Sequence, residues 1–88
     1  MNRDEFFGIV ESEKLLDKRE YLYRETDCPS EENTYGCMCR DGKWYPYRTD
    51  EKAFAVCFGE FDNESDALER LLMRMRRRAD IRKEESES

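Results

Sequence analysis

Four cysteines, a run of arginines and a surplus of carboxylates are the side chains in this sequence that suggest chemistry. Cys28, Cys37, Cys39 and Cys57 match in number the four thiolates of a tetrahedral structural zinc site. Their spacing does not: such sites use C-x2-C knuckles, and here 8, 1 and 17 residues separate successive cysteines. Cys37 and Cys39, two apart, would send both thiols to one face of a strand, where free cysteine packs as a small hydrophobe. A disulfide between them is disfavoured, because their Cα atoms on a regular strand would stand about 6.6–6.8 Å apart, near the limit of bridging. No metal and no other cofactor is expected.

Catalysis lacks its usual parts. The chain has no histidine and no glycine-rich phosphate loop, and no motif sets a serine or cysteine beside a base. An enzyme is therefore not expected. The run "RMRRRADIRK" offers Arg74, Arg76, Arg77, Arg78 and Arg82 to phosphates, so a small nucleic-acid-associated regulator is the alternative reading. Charge balance opposes it. Residues 1–69 hold 18 acids against 9 bases, and residues 70–88 hold 7 bases against 4 acids. An acidic body repels polyanions and steers basic proteins towards it.

These side chains need a scaffold, and 88 residues with ten Phe, Tyr and Trp suffice for one small core. No run of 18 apolar residues exists, and charges interrupt the first ten residues where a signal peptide would be apolar. The expectation is a cytoplasmic protein with reduced thiols and no membrane contact.

Asn2 and Glu5 form a capping box ahead of Phe6, Ile9, Val10 and Leu16, which predicts a helix over about residues 3–16. Gly8 inside it implies either a close contact or a shorter helix. "YLYRE" at 21–25 reads as a strand and "TDCPSEEN" at 26–33 as a loop. "TYGCMCR" and "KWYPYR" flank Asp41-Gly42, the pair favoured in a two-residue type I′ hairpin turn. "AFAVCFGEF" at 53–61, the most apolar run, is expected to be the central strand. Asn63 or Asp62 caps a last helix whose Leu68, Leu71, Leu72, Met75 and Ala79 share one face. The predicted fold is α+β: a helix, a three- to four-stranded antiparallel meander, and an amphipathic helix packed on the sheet. One domain spans residues 1–81, and 82–88 form a polar, disordered tail.

The turn fixes a register pairing 40 with 43, 39 with 44, 38 with 45, 37 with 46 and 36 with 47. One face then holds Cys37, Cys39, Trp44 and Pro46 and reads as core. The other holds Gly36, Met38, Arg40, Lys43, Tyr45 and Tyr47, a composition typical of interfaces, to be met by a partner or covered by the last helix. Pro46 has no N–H to offer a third strand, which predicts an edge, bulge or break beside it.

The hairpin with its aromatic strand "KWYPYRTDE", the apolar strand after it and "FDNESDALERLL" resemble small immunity proteins of bacterial polymorphic toxin systems of the contact-dependent inhibition type. Gly42, Trp44, Tyr45, Tyr47, Phe61, Glu64 and Ala67 carry the resemblance, which spans roughly residues 3–76. It implies a cytosolic antidote that binds a cognate toxin domain, in many such systems a basic nuclease, and blocks it without chemistry of its own. On that reading Met38, Arg40, Tyr45 and Tyr47 are the anchor, and Asp41, Asp50, Glu51, Glu31 and Glu32 are the acidic rim.

Overall fold

The computed structural model describes residues 1–87, with side chains through residue 85. Its elements run α1 (Arg3–Ser12), β1 (Tyr21–Leu22), β2 (Thr34–Arg40), β3 (Lys43–Thr49), β4 (Ala55–Cys57) and α2 (Glu64–Glu87). The fold is α+β, a four-stranded sheet in the order β1-β2-β3-β4 with a helix from each end of the chain.

The β2–β3 hairpin is the frame. Asp41 and Gly42 both hold positive φ, 52° and 76°, as the primed turn demands. The register is the predicted one, from Arg40 opposite Lys43 to Gly36 opposite Tyr47. Parity then decides the faces: Tyr35, Cys37 and Pro46 are buried towards α2, and Gly36, Met38 and Tyr47 are buried on the other side.

α1 starts where the capping box places it, with Asn2 Oδ1 accepting from Glu5 N at 2.8 Å. It ends four residues before the predicted Leu16. Lys14 takes a left-handed φ of 52°, Lys14 N donates to Glu11 O, and Leu15 N donates to Val10 O. This is a Schellman end, in which buried Leu15 lies next to buried Val10 in the core. Gly8 has no close contact, so of its two expected explanations the shorter helix is the one found.

α2 lays Ala67, Leu68, Leu71, Leu72 and Met75 into the core with Phe6, Val10, Tyr35 and Cys37. Each large member is worth about 1.5–3 kcal/mol of burial. Asn63 is its cap: Oδ1 accepts from Asp66 N at 2.9 Å. The helix runs on to Glu87, so the residues expected as a disordered tail are helical through 87. Arg82 is one reason, since it donates to Leu15 O at 2.8 Å and to Glu20. Ser88 lies outside the described residues.

Two strand expectations are corrected. β1 pairs with β2 in parallel, not antiparallel. The chain can return in the same direction because residues 23–33 form a strap that crosses the sheet. The apolar run 53–61 contributes β4 at the sheet's edge, not its centre, and Phe54 and Val56 are 67% and 55% exposed. Pro46 explains why the strand is short. Its carbonyl accepts from Phe58 N at 2.8 Å, but its ring nitrogen returns nothing, and pairing stops at Cys57. Gly59 at φ 132° then bulges the chain before Phe61 pairs with Trp44.

Candidate partner-binding surface

The nine residues expected to form one interface do not lie together. Met38 and Tyr47 are buried, 7% and 0% exposed, and cannot anchor a partner. The strap covers them, not the second helix, which lies on the opposite face. Tyr47 Oη donates to Asp27 O at 2.9 Å, and Thr49 Oγ1 donates to Glu31 O at 2.7 Å. Arg3 fastens the start of the strap, donating to the carbonyls of Glu25 at 2.8 Å and Cys37 at 3.3 Å. Cys39 N donates to Thr26 O at 2.9 Å along the same edge. Burial holds the Tyr47 phenol well above its ordinary pKa.

The remaining seven divide between the two ends of the hairpin, about 20 Å apart for seven-residue strands. At the turn, Arg40 and Asp41 are exposed and Tyr45 is half-buried. Tyr45 Oη donates to Glu60 Oε1 at 3.1 Å, and that bond raises the phenol's pKa. Lys43 pairs with Asp62, whose carboxyl it lowers. Glu60 and Asp62 thus join the turn cluster. They stand beside it because Phe61, between them, pairs with Trp44, a non-local contact that sequence spacing does not reveal.

At the open end, Glu31, Glu32 and Glu51 are exposed and Asp50 is half-buried. Asp50 has a structural task there. Its Oδ1 accepts from Phe54 N at 3.0 Å and Lys52 N at 2.8 Å, which closes the 50–54 turn and lowers its carboxyl pKa. Asn33 N donates to Asp50 O at 3.1 Å, tying this corner to the strap. The strap adds exposed Glu25 and Asp27, so the side of the sheet away from the helices is bordered by acids at both ends and along the crossing segment.

The arginines of α2 are divided in role. Arg76 forms a fork with Glu13, Nε at 2.9 Å, which lowers that carboxyl. Arg78 and Arg82 reach Glu20 at 3.4 and 2.7 Å, and Arg48 lies 3.9 Å from the same carboxylate. Glu20 is buried, its side chain 6% exposed, and it also accepts from Tyr35 Oη at 3.1 Å and Asp17 N at 2.9 Å. This hub joins the α1–β1 loop, β2, β3 and α2. Arg74 stacks over Phe58, 4.7 Å from the ring centroid, and Arg77 is exposed.

The sheet separates the thiols. Cys37 is buried towards α2 with Cys39 beside it on the same face, whereas Cys57 shares the other face with Tyr47 and Cys28. Burial pushes the Cys37 thiol from 9.0 up to about 12, so at neutral pH it is a packed, protonated side chain. Among the described residues, no helix is long and apolar enough to cross a membrane.

Compared with protein-family models, with curated proteins and with solved structures, the chain matches none.

Proposed function

We propose that this protein is a non-catalytic inhibitor, an immunity protein that binds a basic toxin domain through its acidic side and blocks it by occupancy. The observation that carries this reading is the one-sided placement of charge. Exposed Glu25, Asp27, Glu31, Glu32 and Glu51 border the strap face, with Asp41, Glu60 and Asp62 at the turn, and they outnumber the exposed Arg40 and Lys52 among them, whereas Arg74 and Arg77 lie on the α2 side. Such a field raises the rate of encounter with a basic partner by orders of magnitude at low salt. The resemblance of the hairpin and capped helix to polymorphic-toxin immunity proteins supports the same class of partner.

The nucleic-acid alternative is less well supported, because Arg76, Arg78 and Arg82 are engaged by Glu13 and Glu20. The experiment is to sequence the neighbouring reading frames, where a toxin domain is expected, co-express that domain with the protein and measure rescue and association rate. Charge reversal at Glu31, Glu32 and Asp41 together is expected to slow association by about tenfold or more at low salt while the fold is retained. An unchanged rate, or no complex with that toxin domain, would overturn the proposal.

A further inference from the structure

The edge of the sheet carries a second surface of opposite sign. Among the described residues, no strand pairs with the outer side of β4. Phe58 N donates to Pro46 O and Asp50 N to Phe54 O, so even-numbered residues bond inward to β3. By alternation, Ala55 and Cys57 turn their N–H and C=O groups outward. An edge of this kind is ordinarily guarded by lysine or proline in the strand, yet this one reads Ala-Val-Cys and shows Phe54 and Val56 to solvent.

Beside that edge the C-terminal half of α2 overhangs the sheet and leaves a groove of about 380 Å³. Its apolar lining includes Val56, Phe58 and Ile81, and five arginines line it, Arg74 and Arg77 among them, against the two carboxylates of Asp50 and Glu85. Arg48 Nε is buried with no acceptor among the described residues. Glu20 is shared among Arg48, Arg78 and Arg82, and the five arginines of the groove outnumber Glu20, Asp50 and Glu85, so the groove is positive although the chain carries −6.

We infer that this groove captures an extended acidic segment of a partner protein, which adds to β4 as a fifth strand. Its backbone pairs with Ala55 and Cys57. On the α2 side its apolar residues pack on Val56 and Ile81, and its carboxylates reach Arg74 and Arg77. Three features select this occupant. A second copy pairing edge to edge about a two-fold axis would bring two arginine grooves side by side. Nucleic acid would use the guanidiniums but neither the strand edge nor the apolar lining, and would meet an acidic body. A basic peptide would be repelled. The inference does not depend on which partner the acidic side takes.

The test uses the intact protein and three fluorescent probes: a Glu-Val peptide of the pattern Val-Ser-Glu-Ser-Val-Ser-Glu, which sets Val and Glu on one face of a strand, the same peptide with Lys for Glu, and a single-stranded RNA. Anisotropy titrations compare wild type with Arg74→Glu/Arg77→Glu and with Ala55→Pro, which removes one outward N–H and no bond to β3. Circular dichroism verifies that both variants fold. The Glu-Val peptide is expected to bind, to weaken with salt, to lose about tenfold or more in affinity in the double variant, and to lose affinity in Ala55→Pro. In NMR spectra of the bound protein, the largest amide shifts are expected at Ala55 and Cys57.

Four results would overturn the inference: no binding of the acidic peptide at millimolar concentration, equal binding of the Lys peptide, tighter binding of RNA through the same arginines, or a wild-type dimer through β4 in sedimentation.

Discussion

The Tyr47 ring fills the space that a side chain on Gly36 would need: a Cβ there would stand 2.4 Å from Tyr47 Oη and 2.6 Å from Cζ. The two residues face each other across the hairpin, and the ring is pinned at its far end by the bond to Asp27 O. Gly36→Ala therefore cannot be absorbed by a flexible side chain. It is expected to cost about 1–3 kcal/mol, as overpacking of a filled site does, read from urea unfolding. Tyr47→Phe keeps the packing, removes only the hydroxyl, and is expected to cost about 1 kcal/mol. Unchanged stability in both variants would show that the strap does not clamp the ring.

Glu20 brings a buried carboxylate to a cluster of three arginines and a tyrosine hydroxyl. Glu20→Gln keeps the shape and removes the charge. The cost is expected to be about 2–4 kcal/mol, near the lower end of the range for breaking a buried pair, because the guanidiniums still reach water. Equilibrium unfolding of Glu20→Gln beside Glu13→Gln separates this buried hub from an exposed pair, whose loss is expected to cost far less.

Gly8 lies in the interior of α1, exposed, and a Cβ added there meets nothing within 4 Å. Gly8→Ala is expected to raise stability by about 0.8–1.0 kcal/mol, the propensity difference between the two residues. Thermal unfolding checks it. A lower midpoint would mean that the backbone of Gly8 is needed for something besides the helix.

Cys37 and Tyr35 predict a loss of stability at high pH. Burial pushes the Cys37 thiol from 9.0 to about 12, and burial followed by the Glu20 charge pushes the Tyr35 phenol from 10.0 to about 12. Both groups are neutral when protonated, and the folded state holds the proton longer. Their stabilisation is complete below about pH 9 and disappears as pH rises towards 12, by about 1.4 kcal/mol per pH unit for each group. In Cys37→Ala the decline above pH 9 is expected to be shallower than in wild type. Parallel slopes would remove Cys37 from the account.

What sequence reveals here follows from how local the controlling interaction is. The hairpin register depends on two adjacent residues, Asp41 and Gly42, and was legible in full. Asn2 was legible as a cap and Asn63 as one of two candidates with Asp62, and of the expected α2 face Leu68, Leu71, Leu72 and Met75 are buried while Ala79 is partly so. Tyr47 shows the limit: parity placed it on the face of the sheet away from Cys37, but the cover over it is a loop without periodicity. Glu20 sits in "KREYLY" like any surface acid, and its burial needs Arg78 and Arg82, some sixty residues later in the chain. The 53–61 run misleads because apolar content suggests a centre, whereas Pro46 and the overhang of α2 decide where the sheet stops.

The parallel pairing of β1 with β2 has a consequence for the order of folding. The β2–β3 hairpin closes through a two-residue turn, so its contacts are local and can form within about 1–10 μs. β1 can join only after the 23–33 excursion has been laid across the finished hairpin, and the Glu20 cluster closes a loop of about sixty residues at greater entropic cost. The hairpin is thus expected to be formed in the transition state, with high φ-values at Trp44 and Tyr45. Glu20 and Arg82 are expected to have φ-values near zero and to govern the unfolding rate, which makes the arginine hub a latch on the folded state.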